Sequence, residues 1–109
     1  MASEALKKKI KEMIVAEDKL DNGWFKTIYK SRVHFVRLRA NEPFERGFDC
    51  DCYKFTNETV HDIENGVAPR YCSHVMAIVL KLMRKGTLTR QIAEYLFMIQ
   101  GIKIEEVIE

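Results

Sequence analysis

The sequence predicts a small α+β fold: a β-hairpin or sheet beside one central helix, flanked by an N-terminal and a C-terminal helix. Three observations carry this expectation. Apolar residues recur at helical spacing near both ends, an aromatic and β-branched stretch alternates between them, and "SHVMAIVLKLMRKG", Ser73 to Gly86, is apolar almost all round. At 109 residues the chain has the size of one domain, and 47% hydrophobic with 31% charged residues suits a folded protein rather than a disordered one.

The elements follow in order. From Ser3 to Leu20, the residues Leu6, Ile10, Met13, Ile14 and Leu20 fall on one side of a 3.6-residue helix, with Lys7, Lys8, Lys9 and Lys11 mostly on the others. Ser3 can cap this helix (3–20), and Asp21, Asn22 and Gly23 can stop it. "WFKTIY" and "RVHFVRLRA" read as two strands joined by a polar turn at Lys30 and Ser31, hence a hairpin. After the loop "ANEPFERG", alternation places Phe48, Cys50 and Cys52 on the same side of a third extended segment. The stretch 53–71 reads as a long loop. Ser73 can cap the central helix and Gly86 can end it, leaving a narrow stripe of Ala77, Lys81, Arg84 and Lys85. Thr87 or Thr89 can cap a last helix over 88–100, with a main face of Leu88, Ile92, Tyr95, Leu96 and Ile99. Gly101 ends it, and "IKIEEVIE" has no clear assignment. No repeat or linker divides the chain, so 1–109 is expected to form one domain.

The totals also exclude. A net charge of +2 is too small for bulk electrostatics to imply nucleic-acid binding, so such a reading has to rest on clustering. No apolar run approaches the length of a membrane span, and the N-terminus lacks the continuous apolar segment of a signal peptide. The expected setting is therefore cytoplasmic, nucleoid or nuclear, with no membrane partner.

Three cysteines without a secretion signal point to metal rather than to a disulfide framework. Cys50 and Cys52 are two apart on an extended segment, so both thiols face one way. Cys72 and His74 are two apart where loop becomes helix, beside the positive end of the helix, which favours thiolate. Two such pairs supply four donors for a tetrahedral ion, and a Cys₃His set suits Zn²⁺. His34 and His61 are the competing imidazoles, but neither has a paired neighbour.

The order Cys-x-Cys, spacer, Cys-x-His resembles the SWIM zinc finger. The likeness extends to Phe55, three residues past Cys52, and to "CSHVMAIVL" with a small residue at Ala77, and it covers about 33–83. The resemblance implies a ββα zinc module and a role in DNA-associated recombination, repair or chromatin assemblies, or as an adaptor for recombinase paralogues. The sequence departs from the family at Ser73, where lysine is common, and in a 19-residue spacer made acidic by Glu58, Asp62 and Glu64.

Four protein ligands leave no open position for water or substrate, which is the pattern of a structural zinc site. The zinc-deaminase motif is missing, and Cys72 and His74 are already explained by metal, so no enzyme activity and no small-molecule substrate are expected. For DNA, the candidates are three basic groups acting on phosphates: Lys7, Lys8, Lys9 and Lys11 on the first helix, Arg32, Arg37 and Arg39 around the hairpin, and Lys81, Arg84 and Lys85 at the end of the central helix. Phe97 falls opposite the main face of the last helix and Met98 lies at its margin. That surplus apolar surface suggests a homodimer or protein partner unless "IKIEEVIE" folds back over Phe97, and an adaptor function without DNA contact is the alternative reading.

Overall fold

The computed structural model describes residues 4–16, 24–38 and 48–108. Ser3, Leu20, the stop at 21–23 and Arg39 lie outside the described residues.

The N-terminal helix, α1, spans Glu4–Glu12 and does not continue toward Leu20. After the buried Met13, the chain turns extended, and Ile14–Val15 forms strand β1. Ile14 and Val15 are β-branched, so they fit a pleated edge better than a helix, and the ladder partner is at hand. That partner is β2, Trp24–Tyr29, with Ile14 opposite Ile28 and Val15 opposite Thr27.

β2 returns as β3, Arg32–Leu38, through Lys30 and Ser31, which sit at φ 47° and 67°. Two consecutive left-handed residues make the turn whose twist matches that of the strands, so the expected hairpin and its turn are both present. β4, Phe48–Cys50, pairs with β3, giving an antiparallel sheet in the order β1-β2-β3-β4. Phe25, Thr27, Val36, Phe48 and Cys50 are buried on its inner face.

Between β4 and the central helix the first part of the expected loop, as far as Glu64, is helical. A wide π-helical stretch, Phe55–Thr59, leads into α2, Val60–Glu64. Its buried residues are Phe55, Thr59 and Asp62, and two of these are polar, so no apolar periodicity announced the helix.

α3 spans Ser73–Arg84 and is buried without a break from Ser73 to Leu80. It is the centre of the core, as its composition requires. Its N-cap is Cys72, not Ser73, and Ser73 is itself buried. Gly86 takes φ 79° just beyond the helix, the left-handed conformation that lets its N–H reach the carbonyl of Met83.

The last helix, α4, spans Arg90–Ile99, and the Thr89 hydroxyl accepts the N–H of Ile92 at 3.2 Å. Its inward residues are Ala93, Leu96 and Phe97, whereas Tyr95 is 43% exposed. The helix is therefore turned relative to the expected face. The reason is the tail: Ile102 N–H returns to the Phe97 carbonyl at 3.0 Å, a 3₁₀ turn follows at Ile104–Glu106, and Ile102, Ile104 and Val107 are all buried. Phe97 is consequently 0% exposed and belongs to the core, which corrects its expected place on an outer surface. Met98 is 64% exposed.

Candidate metal centre

Each pair of sulfur and nitrogen donors is placed by a change of backbone. Cys50 is the last residue of β4, so its thiol points inward with Val36, its partner across the ladder. The strand ends there, and Cys52 lies past a bend rather than further along one extended segment. Cys72, at φ −76° and ψ 165°, is the extended residue before α3, and His74 sits in that helix's first turn.

All four side chains are buried, and their ligand atoms lie within 4.8 Å of one another. A tetrahedron with metal–sulfur bonds of about 2.3 Å has sulfur–sulfur edges of roughly 3.8 Å, so the cluster has the size a metal ion needs. Two features of the donor set test that fit. Nδ1 of His74 is the one buried side-chain nitrogen or oxygen among the described residues without a hydrogen-bond partner, a cost that a metal bond would remove.

The thiols give the second feature. Hydrogen bonds from Cys50 and Cys72 hold the Cys52 thiol well below the usual range, with help from the Phe55 N–H, 3.4 Å from its sulfur. The Cys50 thiol is pushed up by its hydrogen bonds to Cys52 and Cys72, and burial pushes Cys72 up to about 12. Like charges this close and this buried cannot all be ionised unless a cation lies among them. The residues therefore fit a divalent metal ion, and Cys₃His is a donor set that suits zinc.

Around the cluster lie residues that the sequence signalled weakly or not at all. His34, one of the competing imidazoles, is not among the four clustered ligands; its ring packs on that of His74, with centroids 4.3 Å apart and planes at 46°. Its Nδ1 lies 2.9 Å from Oδ1 of Asp51, which also accepts the Phe35 N–H at 3.2 Å. Asp51, between the two ligands of the first pair, thus ties β4 to β3. His61 is outside the cluster and neighbours Asn65.

The approach to Cys72 is pinned from both sides. Asp62 accepts from the Arg70 backbone N–H at 2.9 Å and from its Nε and Nη2 at 2.9 and 3.0 Å. The Arg70 guanidinium holds the Asp62 carboxyl below its ordinary value. The Thr59 hydroxyl donates to the Arg70 carbonyl, and Glu58 lies 3.4 Å from the guanidinium. From the other side, Gln100 accepts the Tyr71 N–H and donates to the Pro69 carbonyl, both at 3.1 Å. The acidity of the spacer is therefore largely engaged in shaping the loop that presents Cys72.

The basic candidates divide differently from their order in sequence. Arg32 and Arg37 are five apart in β3, so they lie on opposite faces of the sheet, and Arg39 lies outside the described residues. Lys7 is drawn inward between Glu106, at 2.5 Å, and Glu4, at 3.1 Å, and the Glu106 and Glu4 carboxylates raise its pKa. Lys11 of α1 meets Lys81 and Arg84 of α3 around one cleft floored by Ala77 and Leu80. The stripe left polar on α3 is thus the side on which α1 packs, with Lys85 exposed at its end.

Fold and cluster together define a class, a small α+β protein with a buried Cys₃His site able to hold a metal ion. No family model matches the chain, and neither the curated proteins nor the solved structures contain a match. The likeness to SWIM segments accordingly rests on ligand order and neighbouring residues. Among the described residues no helix is long and apolar enough to cross a membrane.

Proposed function

We propose that this chain is a non-catalytic zinc module that binds DNA, as part of a recombination, repair or chromatin-associated assembly. Zinc held by Cys50, Cys52, Cys72 and His74 supplies a structural cross-link between β4 and the start of α3. The side chains around it do the rest: Asp51 and His34 hold the ligand loop against β3, and Asp62 and Gln100 hold the approach to Cys72. All four donors come from the protein, which suits a structural role better than a catalytic one.

The observation that carries the DNA reading is the convergence of Lys11 with Lys81 and Arg84 around one cleft. Cations brought from two helices to one rim suit phosphates, whereas lysines scattered over separate faces would only solvate them. The cleft's volume of 160 Å³ is below the roughly 300 Å³ at which small-molecule sites begin, which favours its charged rim as the working part. α3, the helix that starts at the candidate metal centre, is buried from Ser73 to Leu80 and offers no polar face to base edges, so contacts to phosphate rather than base edges are expected.

The test is duplex binding against salt. With three to five phosphate contacts the log–log slope should be about −3 to −5, and a Lys81→Glu, Arg84→Glu double variant should abolish most binding. Absence of binding at low salt would replace this reading with the adaptor alternative. That alternative draws on exposed Tyr95 and Met98 of α4, and a pull-down with and without nuclease would separate it from a DNA bridge.

A further inference from the structure

The outer face of the sheet differs from the usual water-facing side of an antiparallel sheet, where polar residues alternate outward. Its first row is apolar, Ile14 beside Ile28 beside Val33. The next two rows each join an aromatic to a cation on the neighbouring strand, Lys26 opposite Phe35 and Trp24 opposite Arg37. The Arg37 guanidinium lies 6.0 Å from the Trp24 ring centroid, within range of the attraction between a cation and an aromatic face. Phe35 is 37% and Val33 42% exposed, although the opposite face of the same strands carries core residues with almost no exposure.

We infer that this face is a stacking platform for an unpaired DNA strand. Flat aromatic surfaces accept any base because every base has a π-face, and cations beside them meet the phosphates that follow. Neither ring is an isolated surface hydrophobe: each stands beside a positive charge, on the two central strands, which are held by neighbours on both sides. A protein partner would have no such need for a cation beside every ring. Asp49, opposite Arg37 in β4, bounds the platform on that side, so the strand's path runs over β2 and β3. The outward residues Lys26, Phe35 and Arg37 thus provide the same kind of surface as the aromatic and basic grooves that hold single strands elsewhere. The inference rests on the DNA-binding reading above and adds a preference for single strands over duplex.

Trp24 is the only tryptophan in the chain, so its fluorescence reports on this face directly. The experiment titrates the zinc-loaded protein with a dT oligonucleotide and, separately, with a duplex of the same length. The expected result is saturable quenching by the single strand, tighter binding to it than to duplex, and a loss of about 5- to 100-fold in single-strand affinity on Phe35→Leu. That substitution keeps apolar area but removes the flat ring, and Phe35→Tyr should restore affinity. Circular dichroism and zinc content confirm that each variant is folded. Unchanged single-strand affinity in a folded Phe35→Leu, or binding without quenching, would overturn the platform while duplex binding lost on Lys81→Glu, Arg84→Glu left the phosphate reading standing. Failure to bind either form would overturn both. Loss of a captured protein, rather than of DNA, on Phe35→Leu would also overturn the platform.

Discussion

The imidazole of His34, on the inner side of β3, packs against that of His74, the one nitrogen ligand of the candidate metal site, with ring centroids 4.3 Å apart. His34 is in turn oriented by Asp51, whose carboxylate lies 2.9 Å from its Nδ1. Partners behind a ligand commonly govern how well it is presented, and their loss costs about 10- to 100-fold in metal affinity. Asp51→Asn and His34→Ala should each weaken zinc binding by about 10-fold in a chelator competition, toward the lower end because the contact with His74 is packing rather than a hydrogen bond. Unchanged affinity would reduce the pair to a simple tie between β3 and β4.

Metal analysis after dialysis should give one zinc per chain, and Ser in place of Cys50, Cys52 or Cys72, or Ala in place of His74, should remove it. Because the site exists only in the folded chain, its binding free energy is also folding free energy. Chelation followed by circular dichroism should therefore show loss of the hairpin and of α3. A folded, cooperative protein that has lost all its zinc would show that the core stands without it.

Phe97 and Met98 should behave oppositely despite being neighbours. Phe97 is wholly buried, so Phe97→Ala should cost about 3–5 kcal/mol in chemical denaturation, a large share of the stability of a domain this small. Met98→Glu should change stability by no more than about 0.5 kcal/mol, as expected of an exposed side chain. Equal effects at the two positions would contradict the way α4 is turned.

Asp62 and Arg70 should be coupled. Asp62→Asn, Arg70→Ala and the double variant form a cycle, and a favourable interaction is expected at neutral pH, kept modest because Arg70 is half exposed. Since Arg70 leads into Cys72, each single variant should also weaken zinc retention. Additive stabilities would mean that the ion pair contributes nothing beyond its backbone hydrogen bond.

The parts of this protein that were legible in its residues are those whose signal is local. The Lys30–Ser31 turn, the hairpin, the all-round apolar α3, its Gly86 stop and the Thr89 cap each depend on residues a few positions apart. So did the two pairs of candidate metal ligands, each two residues apart, although a bend after Cys50, rather than one extended segment, brings Cys52 in, and the meeting of the pairs across the spacer needed the fold. Other features depended on partners far along the chain. Ile14 continued a helical apolar stripe, yet the availability of Ile28 across a ladder made it a strand. The helix at 55–64 is held by Asp62 and Thr59 bonding to Arg70, and polar anchors leave no hydrophobic period to read. Phe97 looked surplus until Ile102, Ile104 and Val107 folded over it, and Lys11 had no visible relation to Lys81 and Arg84 until α1 packed on α3. Propensity, capping and ligand spacing are set by neighbours in sequence and survive without the fold. Which face is covered, which acid meets which base and which cations share a rim are set by packing between distant segments, and only the tertiary structure could decide them.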